Sequence, residues 1–141
     1  MNTTEFIGTL VLPGVKESVG LARQYATSRL MHAGYTQTDD AILLLSEVVT
    51  NAVMHTASGQ PGGAINITIR VLARTTLYVE VIDDGSSSVP TPQMPDEMVA
   101  GGRGLQLVEL LTDRWGVRQT KKNRTAVWME ISMPSKPDEE K

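Results

Sequence analysis

An α+β sandwich, with helices laid on one face of a sheet, is the fold class this sequence predicts. Three observations lead there. Two stretches of helical periodicity, 15–33 and 36–55, follow one another near the N-terminus. Two alternating stretches, 65–71 and 77–81, face each other across a short Ala73-Arg74-Thr75 turn. Helices and strands therefore come in blocks and not as regular βαβ units, which favours a mostly antiparallel sheet.

Each element has its own signal. Phe6 to Leu12 reads as a short strand stopped by Pro13-Gly14. A first helix runs from Val15 to about Ala33, because Val15, Val19, Ala22, Ala26 and Leu30 recur at helical spacing. Gly34 then stands where a left-handed C-terminal cap falls. The second helix starts within Thr36 to Asp40, where a threonine cap and two acids suit the positive end of the helix dipole. It continues to about His55, and 56–63 form a Gly/Ser/Pro loop.

Ile65, Ile67, Ile69 and Val71 alternate with Asn66, Thr68 and Arg70, and Leu77, Val79 and Val81 repeat the pattern. This is a hairpin with one buried and one wet face. After Asp83-Asp84-Gly85 comes a run holding Pro90, Pro92 and Pro95, with no periodic pattern. A loop this long inside a domain is a functional lid or a disordered segment. A third helix is expected from Leu105 to about Trp115, then strands near Gly116 to Thr120 and Ala126 to Ser132. The charged, proline-containing tail 134–141 reads as disordered, which leaves 1–133 as one domain.

Composition narrows the function classes. A chain of 141 residues is long enough for one sizeable core. The net charge of −3 offers no electrostatic reason to bind nucleic acid directly. With no cysteine there are no disulfides or thiolate metal sites. No apolar run reaches the roughly 18 residues of a membrane span, and no secretory signal pattern opens the chain. The expectation is a soluble, cytoplasmic protein.

Three stretches carry chemistry. Glu47, Asn51 and His55 recur every four residues, within an arc of roughly 80° on one side of the second helix. Ile42, Leu45, Val48, Val49, Ala52 and Val53 are expected on the other side. Read alone, the stripe is either a solvated helix face or a metal and catalytic one. No basic residue lies between Asp39 and His55, an odd composition for a wet face. An amide oxygen suits magnesium, and a carboxylate one turn away can accept a proton.

Asp83-Asp84-Gly85 is a common hairpin-turn sequence, yet no strand pattern resumes after it. An aspartate there could accept a hydrogen bond from a purine amino group, and glycine would let a ring approach the backbone. Gly101-Gly102-Arg103-Gly104 runs straight into the third helix. It is either a hinge or a set of backbone donors for phosphate, with Arg103 adding a charge-assisted contact. It is neither a Walker A motif nor a Rossmann fingerprint.

The order of these pieces resembles the Bergerat-fold (GHKL) ATPases, which include the gyrase, histidine-kinase and MutL ATP-binding domains. Leu45 to His55 looks like the N-box of the anti-sigma-factor serine/threonine kinases. Gly102 to Val108, Asp113-Arg114-Trp115-Gly116 and Val127 to Ile131 look like the short stand-alone members of that family. The likeness spans Phe6 to Met133. It implies a two-layer sandwich with a mixed, mostly antiparallel sheet.

By this resemblance Glu47 is the general base and Asn51 the Mg²⁺ ligand, and His55 matches a family position. Asp83 binds the adenine amino group beside Gly85. Gly102, Arg103, Gly104 and Leu105 line the phosphates, and Thr125 reaches the adenine side. The cofactors implied are ATP and Mg²⁺. The partners implied are a STAS-domain anti-sigma-factor antagonist, a sigma factor and a second copy of the chain in a homodimer. Three departures stand out: Ser87 replaces a second glycine after Gly85, the lid is short and proline-rich, and Ala126 follows Thr125 where relatives often carry a threonine pair. A non-catalytic, ATP-responsive protein that sequesters a partner is the alternative function.

Overall fold

The structure, a computed structural model, describes residues 3–55, 60–85, 104–120 and 122–134. In chain order the elements are β1 (Thr4–Pro13), α1 (Glu17–His32), α2 (Asp39–His55), β2 (Ala64–Leu72) and β3 (Thr76–Asp83). They continue with α3 (Gly104–Leu111), β4 (Arg114–Gln119) and β5 (Thr125–Ser132). The sheet has five strands in the order β1-β2-β3-β5-β4. Every pairing among the described residues is antiparallel. The proline-rich run 86–100 and the tail 135–141 lie outside the described residues, as do the lid and tail readings attached to them.

The core lies between the sheet and its helices. Ile65, Ile67, Ile69 and Val71 of β2, Leu77, Val79 and Val81 of β3, and Val127, Met129 and Ile131 of β5 are all buried. Their period of two puts them on one face of the sheet. Against them pack Leu44, Leu45, Val48 and Val49 of α2. Each such side chain contributes roughly 1.5–3 kcal/mol on leaving water. The opposite sheet face is half-wet, and there Tyr78 stacks on Trp128 with ring centroids 6.4 Å apart. No helix among the described residues is long and apolar enough to cross a membrane.

Two expected elements need correction. The buried stripe of α1 is Ser18, Ala22, Ala26 and Leu30, whereas Val15 precedes the helix and is exposed. Small side chains let α1 lie close against the sheet edge, and the Ser18 hydroxyl is satisfied by donating to the Pro13 carbonyl at 2.6 Å. The third helix ends at Leu111 and does not reach Trp115. There the Asp113 N–H turns to the Glu130 carbonyl at 2.8 Å, and Trp115 pairs with Met129 in β4. Strand pairing with β5 outcompetes another helical turn, because it satisfies the same backbone groups while covering the sheet edge.

The cap at Gly34 holds. Its φ is +101°, its N–H donates to Met31 and the Tyr35 N–H donates to Leu30, the hydrogen-bond pair of a Schellman end.

Candidate nucleotide site

The alternation that buries Leu77, Val79 and Val81 carries on to Asp83, so this aspartate projects from the helix-covered face of the sheet. It is 4% exposed. Burial pushes its carboxyl from the ordinary 3.8 up to about 6; the Gly85 N–H, which donates to Asp83 Oδ1 at 2.6 Å, offsets part of this, and the charge of Asp84 adds to it. A buried carboxylate holding one backbone donor keeps further acceptor capacity.

Gly85 turns the chain at a φ of +79°, and a Cβ there would meet the Asn123 carbonyl oxygen at 2.7 Å. Only glycine fits that bend. Opposite Asp83, in register on β5, stands Thr125, which is 2% exposed. Gln119 Nε2 on β4 lies 3.4 Å from Thr125 Oγ1. Three strands therefore deliver Asp83, Thr125 and Gln119 to the same end of the sheet. Pairing β3 with β5, across α3 and β4 in the chain, is what makes this possible.

Asp84 leaves the strand on the other side. Its Oδ2 accepts the Ala64 N–H at 2.9 Å, and its Oδ1 lies 3.5 Å from Arg124 Nε.

On α2, Glu47 and Asn51 are both half-buried. The buried positions are Ala41, Leu44, Leu45, Val48, Val49 and Ala52, while Ile42 and Val53 are only partly covered. The stripe is thus not opposite the apolar face but on its border. By helical geometry Asn51 sits roughly 20° from Leu44 and roughly 60° from Val48. That border position suits groups that must meet a ligand at the edge of a packed core, out of bulk water. Ser46 and Thr50 donate their hydroxyls to the Ile42 and Ser46 carbonyls of their own helix, at 3.0 and 2.7 Å, so their side chains are spent locally. The helix packs on α1, β3 and α3, which joins the stripe's element to that of Asp83.

Gly104 and Leu105 open α3, and His55 closes α2; their side chains lie outside the described residues, as do Gly102 and Arg103 entirely. From α3 the structure describes Val108, fully buried between helix and sheet.

With this arrangement in view, relatives become informative. The description of the histidine kinase-like ATPase domain fits residues 12–131, from the end of β1 to the last turns of β5. The chain belongs to the histidine kinase-like ATPase domain family. It is similar to serine-protein kinase RsbW of Bacillus velezensis, with 30% identity over 126 residues, 80% of this chain and 78% of that protein. It is also similar to serine-protein kinase RsbW of Bacillus subtilis (strain 168), 30% identical over 79% of this chain and 77% of the relative. The protein of the same name from Bacillus pumilus is 28% identical over 80% of this chain and 78% of its own length.

Membership of this family implies use of ATP and typically of a divalent metal. Among the described residues no three His, Cys, Asp or Glu side chains gather into a cage. An amide oxygen such as that of Asn51 suits Mg²⁺, which takes one or two protein oxygens and completes its shell with phosphate and water. Sequence reasoning missed three residues that this histidine kinase-like ATPase domain places beside Asp83: Asp84, Arg124 and Gln119. The doublet Asp83-Asp84 was the available signal, since adjacent strand residues must face opposite sides and cannot share one task.

Proposed function

We propose that this chain is an ATP-dependent protein serine/threonine kinase and anti-sigma factor, whose substrate is a serine on a STAS-domain anti-sigma-factor antagonist. The observation that carries the reading is the buried Asp83 carboxylate beside positive-φ Gly85, at the sheet end next to Thr125. Asp83 accepts a hydrogen bond from the adenine amino group, and Gly85 leaves the backbone bare for the ring. The similarity to three serine-protein kinases over four-fifths of the chain supports the choice of acceptor class.

In this reading Gly102, Gly104 and Leu105 present backbone N–H groups to the phosphates at the start of α3, with Arg103 as a charge-assisted partner. Asn51 holds Mg²⁺ through its amide oxygen, and His55 flanks the same stripe. A Mg²⁺ ion held there would supply charge neutralisation for the transferring phosphate. The acceptor serine Oγ attacks the γ-phosphorus in line while the bond to the β-bridging oxygen breaks, releasing ADP. Glu47 takes the serine proton. Positioning and charge neutralisation supply most of the rate. The partners are the antagonist and a sigma factor, with a homodimer as the assembly.

The test is transfer of labelled γ-phosphate to purified STAS partners. Wild type is expected to phosphorylate a serine, and Glu47→Ala to retain ATP binding while losing at least about 100-fold in transfer. Undiminished transfer by Glu47→Ala removes the base role. Nucleotide-dependent binding of the antagonist with no transfer by wild type establishes the sequestering alternative instead.

A further inference from the structure

Asp84 and Arg124 take no part in the chemistry above, yet they join the pieces of chain that surround Asp83. Asp84 Oδ2 holds the Ala64 N–H, at the start of β2, while its Oδ1 pairs with Arg124 Nε at the start of β5. Arg124 is itself anchored in the β4–β5 turn. Its N–H donates to Thr120 Oγ1 at 3.2 Å, and its carbonyl accepts the Thr120 N–H at 2.8 Å. The residue before it, Asn123, has a φ of +62° and supplies the carbonyl oxygen that a Cβ on Gly85 would meet. The residue after it, Thr125, is the ladder partner of Asp83.

We propose that Asp84 and Arg124 are positioning residues for adenine recognition: their ion pair, tied to Ala64, holds the bend that presents Asp83, and Arg124 balances the second carboxylate beside it. The inference rests on the adenine role of Asp83. Its electrostatic half follows from the neighbours. Asp84 is near enough to disfavour the charged form of Asp83. Arg124 offsets that charge from 3.5 Å. The neighbouring strands also carry Glu80 of β3, paired with Arg118 of β4, and Lys122 stands in the β4–β5 turn. β2 carries none from Ala64 to Ile69, and β5 none from Thr125 to Met129. α2, packed on β3, carries Glu47 and His55 beyond its first turn. Burial sets most of the acid limb of nucleotide binding, and among the described residues Asp84 is the one neighbouring charge that adds to it, so the pair is expected to tune that limb.

The experiment titrates the full chain with a fluorescent ADP analogue from about pH 5 to about pH 8. It compares wild type with Arg124→Gln, Arg124→Lys, Asp84→Asn and Asp83→Asn, each checked for folding by circular dichroism. In Arg124→Gln the uncompensated Asp84 charge makes Asp83 harder to ionise. Its acid limb moves up by about half a pH unit, weakening binding about threefold at about pH 5, where most of Asp83 is protonated, and little at about pH 8. Arg124→Lys restores most of this. In Asp84→Asn the limb moves down, although the lost tie weakens binding at high pH. A purely structural part for the pair predicts the same loss at every pH in both variants, with coincident limbs, and that result overturns the proposal. The two levels separate cleanly. A wild-type chain that binds no ADP, or an Asp83→Asn variant that binds normally, overturns the adenine reading and this inference with it. Asp83→Asn binding abolished with unmoved limbs in the other variants overturns the inference alone.

Discussion

Asp83 concentrates the cost and the use of this fold at one carboxyl. Its folded pKa, about 6, lies above its ordinary 3.8 because burial disfavours the charge. A raised acid pKa means the folded state prefers the protonated form. The stability contribution is then fully present below about pH 3.8 and is lost as pH rises through about 6. At neutral pH the ionised side chain thus strains the unliganded protein while serving as an acceptor. Asp83→Asn keeps an oxygen for the Gly85 N–H and sheds the buried charge. It should stabilise the unliganded chain at pH 7 by on the order of 2 kcal/mol. The same variant should lose nucleotide binding, and its stability should vary less than wild type between roughly pH 4 and pH 6. Urea unfolding at several pH values checks the first and third effects, and calorimetric titration checks the second. A variant less stable than wild type at pH 7 contradicts the account of Asp83 as a strained acid.

At the scale of elements, α2 shows how one helix serves core and site together. Six buried positions dock it, and the remaining arc still carries Glu47 and Asn51 on the flank. Leu44, which is buried, lies roughly 20° from Asn51 around the helix, and this is what brings the stripe to the border of the apolar face. The β2–β3 turn presents a different case. Ala73 and Arg74 both adopt positive φ, +54° and +72°, although neither is glycine. Left-handed backbone costs an L-residue roughly 1–2 kcal/mol, while glycine's extra freedom in the unfolded chain returns part of any gain. Ala73→Gly should therefore stabilise the hairpin by about 0.5–1 kcal/mol, leaving nucleotide affinity unchanged because the turn lies at the opposite end of β3 from Asp83. Chemical denaturation of the variant, with ADP titration alongside, reads both quantities.

For the whole molecule, the strand order matters most. The chain leaves the sheet after β3, adds β4 at the edge, and returns with β5 between them. That return puts Thr125 opposite Asp83 and Arg124 beside Asp84, joining residues about forty positions apart. A ligand seated where so many elements meet should stabilise all of them together. At a concentration one hundred times its Kd, Mg·ADP should add about 2.7 kcal/mol to unfolding, seen as a rise in Tm. Chelating Mg²⁺ should remove part of that shift in wild type. Asn51→Ala should already lack the chelator-sensitive part, and an unaltered chelator response in that variant would detach Asn51 from the metal.

Local pattern was enough for much of this protein. The strict alternation of Ile65 to Val71 and Leu77 to Val81 specifies a half-buried hairpin, and the cap at Gly34 is written in a single glycine. Glu47, Asn51, Asp83 and Gly85 stood out as candidates because each departs from what its element alone requires. Where short-range signals compete, they misled. Leu105 to Trp115 is apolar enough to continue as helix, and Val15 suits a helical stripe although it precedes α1 and is exposed. Only the assembled sheet decided that Trp115 pairs with Met129 and that Ser18 joins Ala22, Ala26 and Leu30 on the inward face of α1, because long-range hydrogen bonding and close packing outweigh propensities of a few tenths of a kcal/mol. The clasp of Asp84 and Arg124 belongs wholly to tertiary structure. Nothing in the chain between residues 84 and 124 announces that two charges so far apart will meet, and they do so because β3 and β5 share a ladder.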